Sequence, residues 1–112
     1  MTRDRESILD ILDAIASITG YVSGLSREEF DNDLMRQDAV IRRFEVIGEA
    51  AKRVSQVFRD SHDNIPWNEM AGIRDRVIHG YDTVDTDVVW DTIQNDLSDL
   101  KSKLLQIPRD DQ

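Results

Sequence analysis

The segment AVIRRFEVIGEAAKRVSQVF, Ala39 to Phe58, decides the fold of this chain. Its apolar residues alternate between spacings of four and three, at Val40, Phe44, Ile47, Ala51, Val54 and Phe58. This periodicity is typical of an amphipathic α-helix with one face against a core. We therefore predict that the longest helix lies within about Asp33 to Arg59.

Helical patterns also precede this segment. Apolar residues at helical spacing predict a first helix over about Asp4 to Val22, and they are Ile8, Ile11, Leu12, Ile15, Ile18 and Val22. Ser26 followed by Glu29 has the spacing of a capping box. That pattern predicts a short helix or turn over Arg27 to Asp31.

A third helix is predicted over about Trp67 to His79, with Pro66 at its first position and Gly80 ending it. Proline suits a first helical position because the missing N–H has no helical partner there. Glycine is the usual residue just past a helix end, in the left-handed conformation.

A last helix follows, capped by Asp85 or Thr86 and reaching about Gln106. Four main helices joined by short links indicate an all-α protein, a compact helical bundle. We predict a single domain over residues 1–107 and a disordered tail over residues 108–112.

The composition excludes several classes of protein. The 112 residues include no cysteine, so disulfides and thiolate metal sites are excluded. The N-terminal sequence has no signal-peptide pattern and no stretch has the length of a membrane helix, so we expect a cytoplasmic protein with no membrane partner. The 14 basic and 23 acidic residues give a net charge of −9, which argues against broad, non-specific nucleic-acid binding. A locally basic cleft stays compatible with this charge, and a basic protein partner is expected.

The stretch GIRDRVIHGYDTVD, Gly72 to Asp85, carries the chemically notable residues. In an unbroken helix, Arg74 and His79 would point about 140° apart. They could share one reaction centre if His79 turned with the helix end, or if two copies of the chain formed one cleft. Asp75, four residues before His79, could accept a hydrogen bond from its imidazole and fix the tautomer.

An arginine and an oriented histidine suffice for metal-independent phosphodiester cleavage of RNA. The histidine transfers a proton and the arginine offsets charge on the phosphorus, while the 2′-hydroxyl is the nucleophile. We predict no metal and no cofactor, because the carboxylates are scattered over helix surfaces without a focus.

Ordinary structural roles compete with this hypothesis. A histidine at a helix end is usually a cap or a surface residue, and Arg76 is expected to form a salt bridge. His62 is expected in a loop, and Trp67 and Trp90 in the core. Glu45 and Glu49, on either side of Gly48, could line an interface, although a solvated helix face is the default.

The segment RDRVIHGY resembles the Arg-x4-His-x-Tyr signature of HepT-like toxins, a branch of the HEPN superfamily. The segments AVIRRFEVIGEAAKRVS, IPWNEMAGIRDRVIHGY and VDTDVVWDTIQNDLSDL are also similar to that family, in its usual order, so the likeness covers most of the chain. The resemblance implies a HEPN-like bundle of four to five helices that forms a two-fold homodimer with a shared cleft.

The same resemblance implies a metal-independent endoribonuclease, the toxin of a toxin–antitoxin pair. Arg74 and His79 would be its catalytic residues and Asp75 a supporting one. An MntA-like nucleotidyltransferase would neutralise the toxin by transferring AMP to Tyr81. A non-catalytic helical module that binds a nucleotidyltransferase or nucleotides is the alternative, and a plain structural bundle is the third hypothesis.

Overall fold

A computed structural model describes residues 3–79, 83–108 and Asp111, without the side chains of His79 and Thr83. Within these residues, eight helices and one pair of two-residue strands follow one another along the chain. They are α1 (Arg3–Val22), α2 (Arg27–Asp31), α3 (Leu34–Arg53), α4 (Gln56–Ser61), α5 (Trp67–Ala71), α6 (Ile73–Val77), β1 (Ile78–His79), β2 (Thr83–Val84), α7 (Thr86–Asn95) and α8 (Leu97–Leu105). The predicted all-α fold is confirmed, with the short strand pair as an addition.

Helices α1 and α3 form the centre of the bundle. Their apolar stripes face each other, and Ile11, Phe44 and Ile47 are fully buried between the helices. Burying one such side chain contributes about 1.5–3 kcal/mol to folding. Helices α5 and α6 pack on α3, and α8 packs on α1. Among the described residues, no helix combines the length and apolarity needed to cross a membrane.

The predicted capping box at the start of α2 is confirmed. The Glu29 N–H donates to the Ser26 hydroxyl at 3.1 Å, and the Ser26 N–H donates to the Glu29 carboxylate at 3.0 Å. The bonds from Ser26 lower the pKa of Glu29 below its ordinary value. Asp33 caps α3 by accepting a hydrogen bond from the Arg36 N–H at 3.0 Å, and this bond lowers the pKa of Asp33.

The long central helix ends earlier than predicted. Helix α3 stops at Arg53, and Ser55 begins α4 by accepting a hydrogen bond from the Phe58 N–H at 3.2 Å. Asp4 holds this break, since its carboxylate accepts from the Ser55 N–H at 2.7 Å and from the Ser55 hydroxyl at 2.8 Å. A serine that bonds outside the helix in this way offers the backbone an alternative to helical pairing.

The predicted helix over 67–79 is also wrong in its extent. Two helices, α5 and α6, meet at Gly72, and Ile78 is already extended at φ −115° and ψ 126°. Pro66 occupies the cap position before α5, one residue earlier than predicted. The predicted role of Gly80 lies outside the described residues.

The last predicted helix is divided as well. Asp85 caps α7, as predicted, by accepting a hydrogen bond from the Val88 N–H at 3.2 Å. Asp96 separates α7 from α8. The apolar pattern continues across the division because Ile93, Leu97 and Leu100 all contribute to the core.

Candidate active site

The antiparallel strand pair determines where the backbone of His79 lies. Ile78 pairs with Val84 and His79 with Thr83, and the Asp85 N–H donates to the Val77 carbonyl at 2.8 Å. His79 is therefore in a strand and not in a helix, so the predicted angle of 140° between it and Arg74 does not apply. The four-residue helical spacing from Asp75 to His79 is lost for the same reason.

The structure describes one residue of the predicted site only in part and another not at all. The side chain of His79 and the whole of Tyr81 lie outside the described residues. Asp75 is highly exposed, and its carboxylate lies 3.9 Å from the Arg74 guanidinium. Orientation of His79 by Asp75 stays a prediction.

Arg74 projects from α6 towards α3 and is held there by a carboxylate. Its Nε–H donates to Oε1 of Glu45 at 3.2 Å. The second oxygen of Glu45 lies 3.6 Å from the Arg42 guanidinium. The side chain of Arg74 is 43% exposed and that of Glu45 35%, so the pair lies at the protein surface without being fully solvated.

A close approach of backbone to backbone brings Arg74 within reach of α3. Gly48 faces the end of α5, and a Cβ atom at this position would lie 3.2 Å from the Ala71 carbonyl oxygen. Glycine is the residue that permits such an approach. Buried Ile73 and Val77 fix the other face of α6 against the core. Glu45, three residues before Gly48, consequently meets Arg74.

Arg76 has the structural role that the sequence predicted. Its guanidinium donates to the Thr92 hydroxyl and to the Asp96 carboxylate, each at 3.3 Å. These bonds connect α6 to α7 and to the start of α8. Arg74 and Arg76 thus extend to different neighbours, one to α3 and the other to α7.

The two tryptophans lie in the core or pack against it, as the sequence predicted. Trp67 is buried, and its indole N–H donates to the His62 carbonyl at 3.0 Å. The His62 ring stacks on Phe58 with centroids 4.3 Å apart, and its Nε2 lies 3.3 Å from Asp111. Trp90 is partly buried and packs on Phe30.

Sequence reasoning missed the contact between Glu45 and Arg74. The two residues are 29 positions apart, and Glu45 was assigned to an interface or a solvated face. A signal was present in the α3 sequence, since Arg42, Glu45 and Gly48 recur every three residues along one side of a helix. Gly48 is the informative residue, because a position without a Cβ atom permits the close approach of another backbone.

Comparison with known proteins identifies the family. The sequence profile described as "Ribonuclease HepT-like" matches residues 11–107. The chain is 42% identical over 104 residues to "Probable ribonuclease HepT" of Thermococcus cleftensis, covering 92% of this chain and 94% of that protein.

Two further relatives bear the name "Putative RNase". The one from Caldanaerobacter subterraneus subsp. tengcongensis is 35% identical over 107 residues, which is 96% of each chain. One from Methanocaldococcus jannaschii is 38% identical over 109 residues, 96% of this chain and 94% of that protein. No solved structure matches the chain. The profile match and the near full-length relatives confirm the resemblance seen in the sequence: the chain belongs to the Ribonuclease HepT-like family.

Proposed function

We propose that this protein is a metal-independent endoribonuclease toxin, with Arg74 and His79 as its catalytic residues and the cytoplasm as its place of action. The observation that supports this most is the change of backbone at Val77. It lets His79 leave the helix that carries Arg74, so the two residues are no longer constrained to opposite helix faces. The names of the relatives point to the same chemistry.

The proposed reaction needs no nucleophile from the protein. The 2′-oxygen of RNA attacks the adjacent phosphorus, the bond from phosphorus to the 5′-oxygen breaks, and a cyclic phosphate forms. A His79 imidazole takes the proton of the 2′-hydroxyl, and an imidazolium returns one to the departing 5′-oxygen. Arg74 offsets the negative charge that develops on the phosphate oxygens.

A two-fold homodimer is part of this proposal. With two motifs facing one cleft, the two His79 residues divide the roles of base and acid, so that neither has to perform both within one turnover. Asp75 is the proposed supporting residue, acting on the imidazole tautomer.

Neutralisation by an MntA-like nucleotidyltransferase is the proposed regulation. Transfer of AMP from ATP to the Tyr81 hydroxyl, with release of pyrophosphate, adds a phosphate charge and a bulky nucleoside. Tyr81 lies four residues after Val77, the last residue of α6, and seven residues after Arg74. The added charge repels the RNA phosphate, and the nucleoside occupies the cleft. The net charge of −9 suits a partner that presents a basic face. Tyr81→Phe should remain toxic and escape neutralisation, which co-expression with the partner would measure.

The experiment compares growth and RNA integrity after induced expression of the wild type, Arg74→Ala and His79→Ala without a partner protein. Arg76→Ala is the matched control. It also removes one arginine charge, two residues after Arg74, but the Arg76 side chain binds Thr92 and Asp96 instead of Glu45. Expression levels and circular dichroism are matched across the four proteins.

Arrest of growth and RNA cleavage by the wild type and Arg76→Ala alone would support the proposal. If all four proteins were folded and none slowed growth, the toxin proposal would be refuted in that host. The non-catalytic module that binds a nucleotidyltransferase or nucleotides would then be favoured.

A further inference from the structure

The carboxylate of Glu45 lies between two arginines that belong to different helices. Oε1 accepts from the Arg74 Nε–H at 3.2 Å, and Oε2 lies 3.6 Å from the Arg42 guanidinium. Arg42 and Glu45 are three residues apart on α3, whereas Arg74 comes from α6. Glu45 thus connects the arginine of the motif to the longest rigid element on this side of the bundle.

The position of Glu45 is fixed by packing on both sides. Phe44 and Ile47, its neighbours on α3, are fully buried. Gly48, one turn further on, lies against the Ala71 carbonyl at the end of α5. The carboxylate is therefore attached to backbone that has little freedom to move, which is the requirement for orienting another side chain.

Contact through Nε suits an orienting role better than a contact through the terminal nitrogens. A guanidinium has five N–H donors in a planar fork, and the terminal ones match the oxygens of a phosphate. An Nε–H bond fixes the rotation of the long side chain while using one donor near the stem. It is compatible with a phosphate contact made at the tip.

The local charge also permits an anionic substrate. Arg42 and Arg74 carry two positive charges, and Glu45 and Asp75 carry two negative ones, with the Asp75 carboxylate 3.9 Å from the Arg74 guanidinium. The cluster is therefore neutral although the whole chain is at −9. Loss of the Glu45 charge would make it net positive and more attractive to RNA.

We propose that Glu45 is a positioning residue for Arg74, which it holds in the orientation that stabilises the phosphate in the cleavage reaction. This inference rests on the proposed ribonuclease function. It predicts that loss of the Glu45 charge slows the chemical step, although the same change makes the site more attractive to RNA.

These two effects have opposite signs and can be separated by kinetics. The experiment measures kcat and KM on an end-labelled, mixed-sequence oligoribonucleotide pool for the wild type, Arg74→Ala and Glu45→Gln. We expect Glu45→Gln to lower kcat by about 10- to 100-fold, since a misplaced catalytic group costs that much. KM should stay the same or fall, because a negative charge has been removed from the phosphate site.

Glu49→Gln is the matched control. Glu49 lies one turn beyond Glu45 on α3, is more exposed, and forms an ion pair with Lys52 at 3.7 Å. The Glu49→Gln protein should cleave RNA as fast as the wild type. Glu45→Asp keeps the charge on a shorter stem, so its kcat should lie between those of the wild type and Glu45→Gln. Circular dichroism and thermal unfolding verify that each variant is folded.

A second arm tests whether Glu45 acts through Arg74. In an Arg74→Lys background, where the guanidinium fork is absent, Glu45→Gln should lower kcat by less than about threefold, because residues that act as one unit are non-additive. If Glu45→Gln had an unchanged or higher kcat, the inference would be overturned. If Arg74→Ala were inactive in the same assay, the ribonuclease proposal would still stand. A wild type that leaves the pool uncut would overturn both.

Discussion

Gly48→Ala tests the contact on which the geometry of Arg74 depends. The added methyl group would lie 3.2 Å from the Ala71 carbonyl oxygen and 3.5 Å from that of Met70. Both are backbone atoms at the end of α5, so neither can move away by changing a rotamer. The two helices must separate by a few tenths of an ångström, and this displaces the start of α6.

Two effects of opposite sign determine how much Gly48→Ala changes the free energy of unfolding. Alanine is favoured over glycine inside a helix by about 0.8–1.0 kcal/mol. Forcing an extra methyl group into a packed site costs about 1–3 kcal/mol. The difference predicts a net destabilisation of about 1 kcal/mol, which for a domain of this size lowers Tm by about 4 °C.

Urea denaturation of Gly48→Ala and Gly20→Ala measures this directly. Gly20 lies in α1 with nothing within 4 Å of its added Cβ, so Gly20→Ala should gain most of the helical preference, about 0.5–1 kcal/mol. Both transitions should keep the wild-type m value, since a change in m reports a change in compactness. If Gly48→Ala gained as much stability as Gly20→Ala, the close approach of α3 and α5 would be refuted.

Three other predictions concern the ends of the helices. Gly24 has φ +78°, so Gly24→Ala should destabilise the protein by about 1 kcal/mol in the same denaturation assay. Ser55→Ala removes the cap of α4 and the hydrogen bond from its hydroxyl to Asp4, and it should cost about 1–2 kcal/mol. The pKa values of Glu29 and Asp33 are lowered in the folded protein, so both carboxylates stabilise it when they are ionised. This contribution is fully present at pH values above their ordinary pKa values of 4.5 and 3.8, and it is lost as the pH falls through the lower folded pKa values. Thermal unfolding of the wild type and Glu29→Gln should therefore differ at neutral pH and converge in strong acid.

The sequence predicted the helical regions well and their ends poorly. The apolar periodicity located α1 and α3 because these helices bury one continuous face. Val54 and Phe58 continue that periodicity and are buried, yet α3 ends just before Val54 and a new helix begins before Phe58. The cause is the bond between Ser55 and Asp4, 51 residues apart, which a local pattern cannot reveal.

The site shows the same division between local and distant information. One short motif predicts Arg74, His79 and Tyr81 as site residues, and the salt bridge predicted for Arg76 is confirmed. The contact of Arg74 with Glu45 was missed because it depends on how closely α3 approaches α5. The helical spacing assumed between Asp75 and His79 was wrong because β2 pairs with the residues after Val77.

The two catalytic residues of the proposed site are therefore held by different forces. Arg74 depends on α3, through the close approach of α5 to Gly48 and through the hydrogen bond to Glu45. The backbone of His79 depends on a hydrogen-bonded ladder that begins where Asp85 donates to Val77. Val77 belongs to both supports, because its buried side chain holds α6 against the core and its carbonyl accepts from Asp85. Substitutions on α3, away from Val77, should therefore affect the arginine role more than the histidine role, and substitutions in β2 should do the reverse.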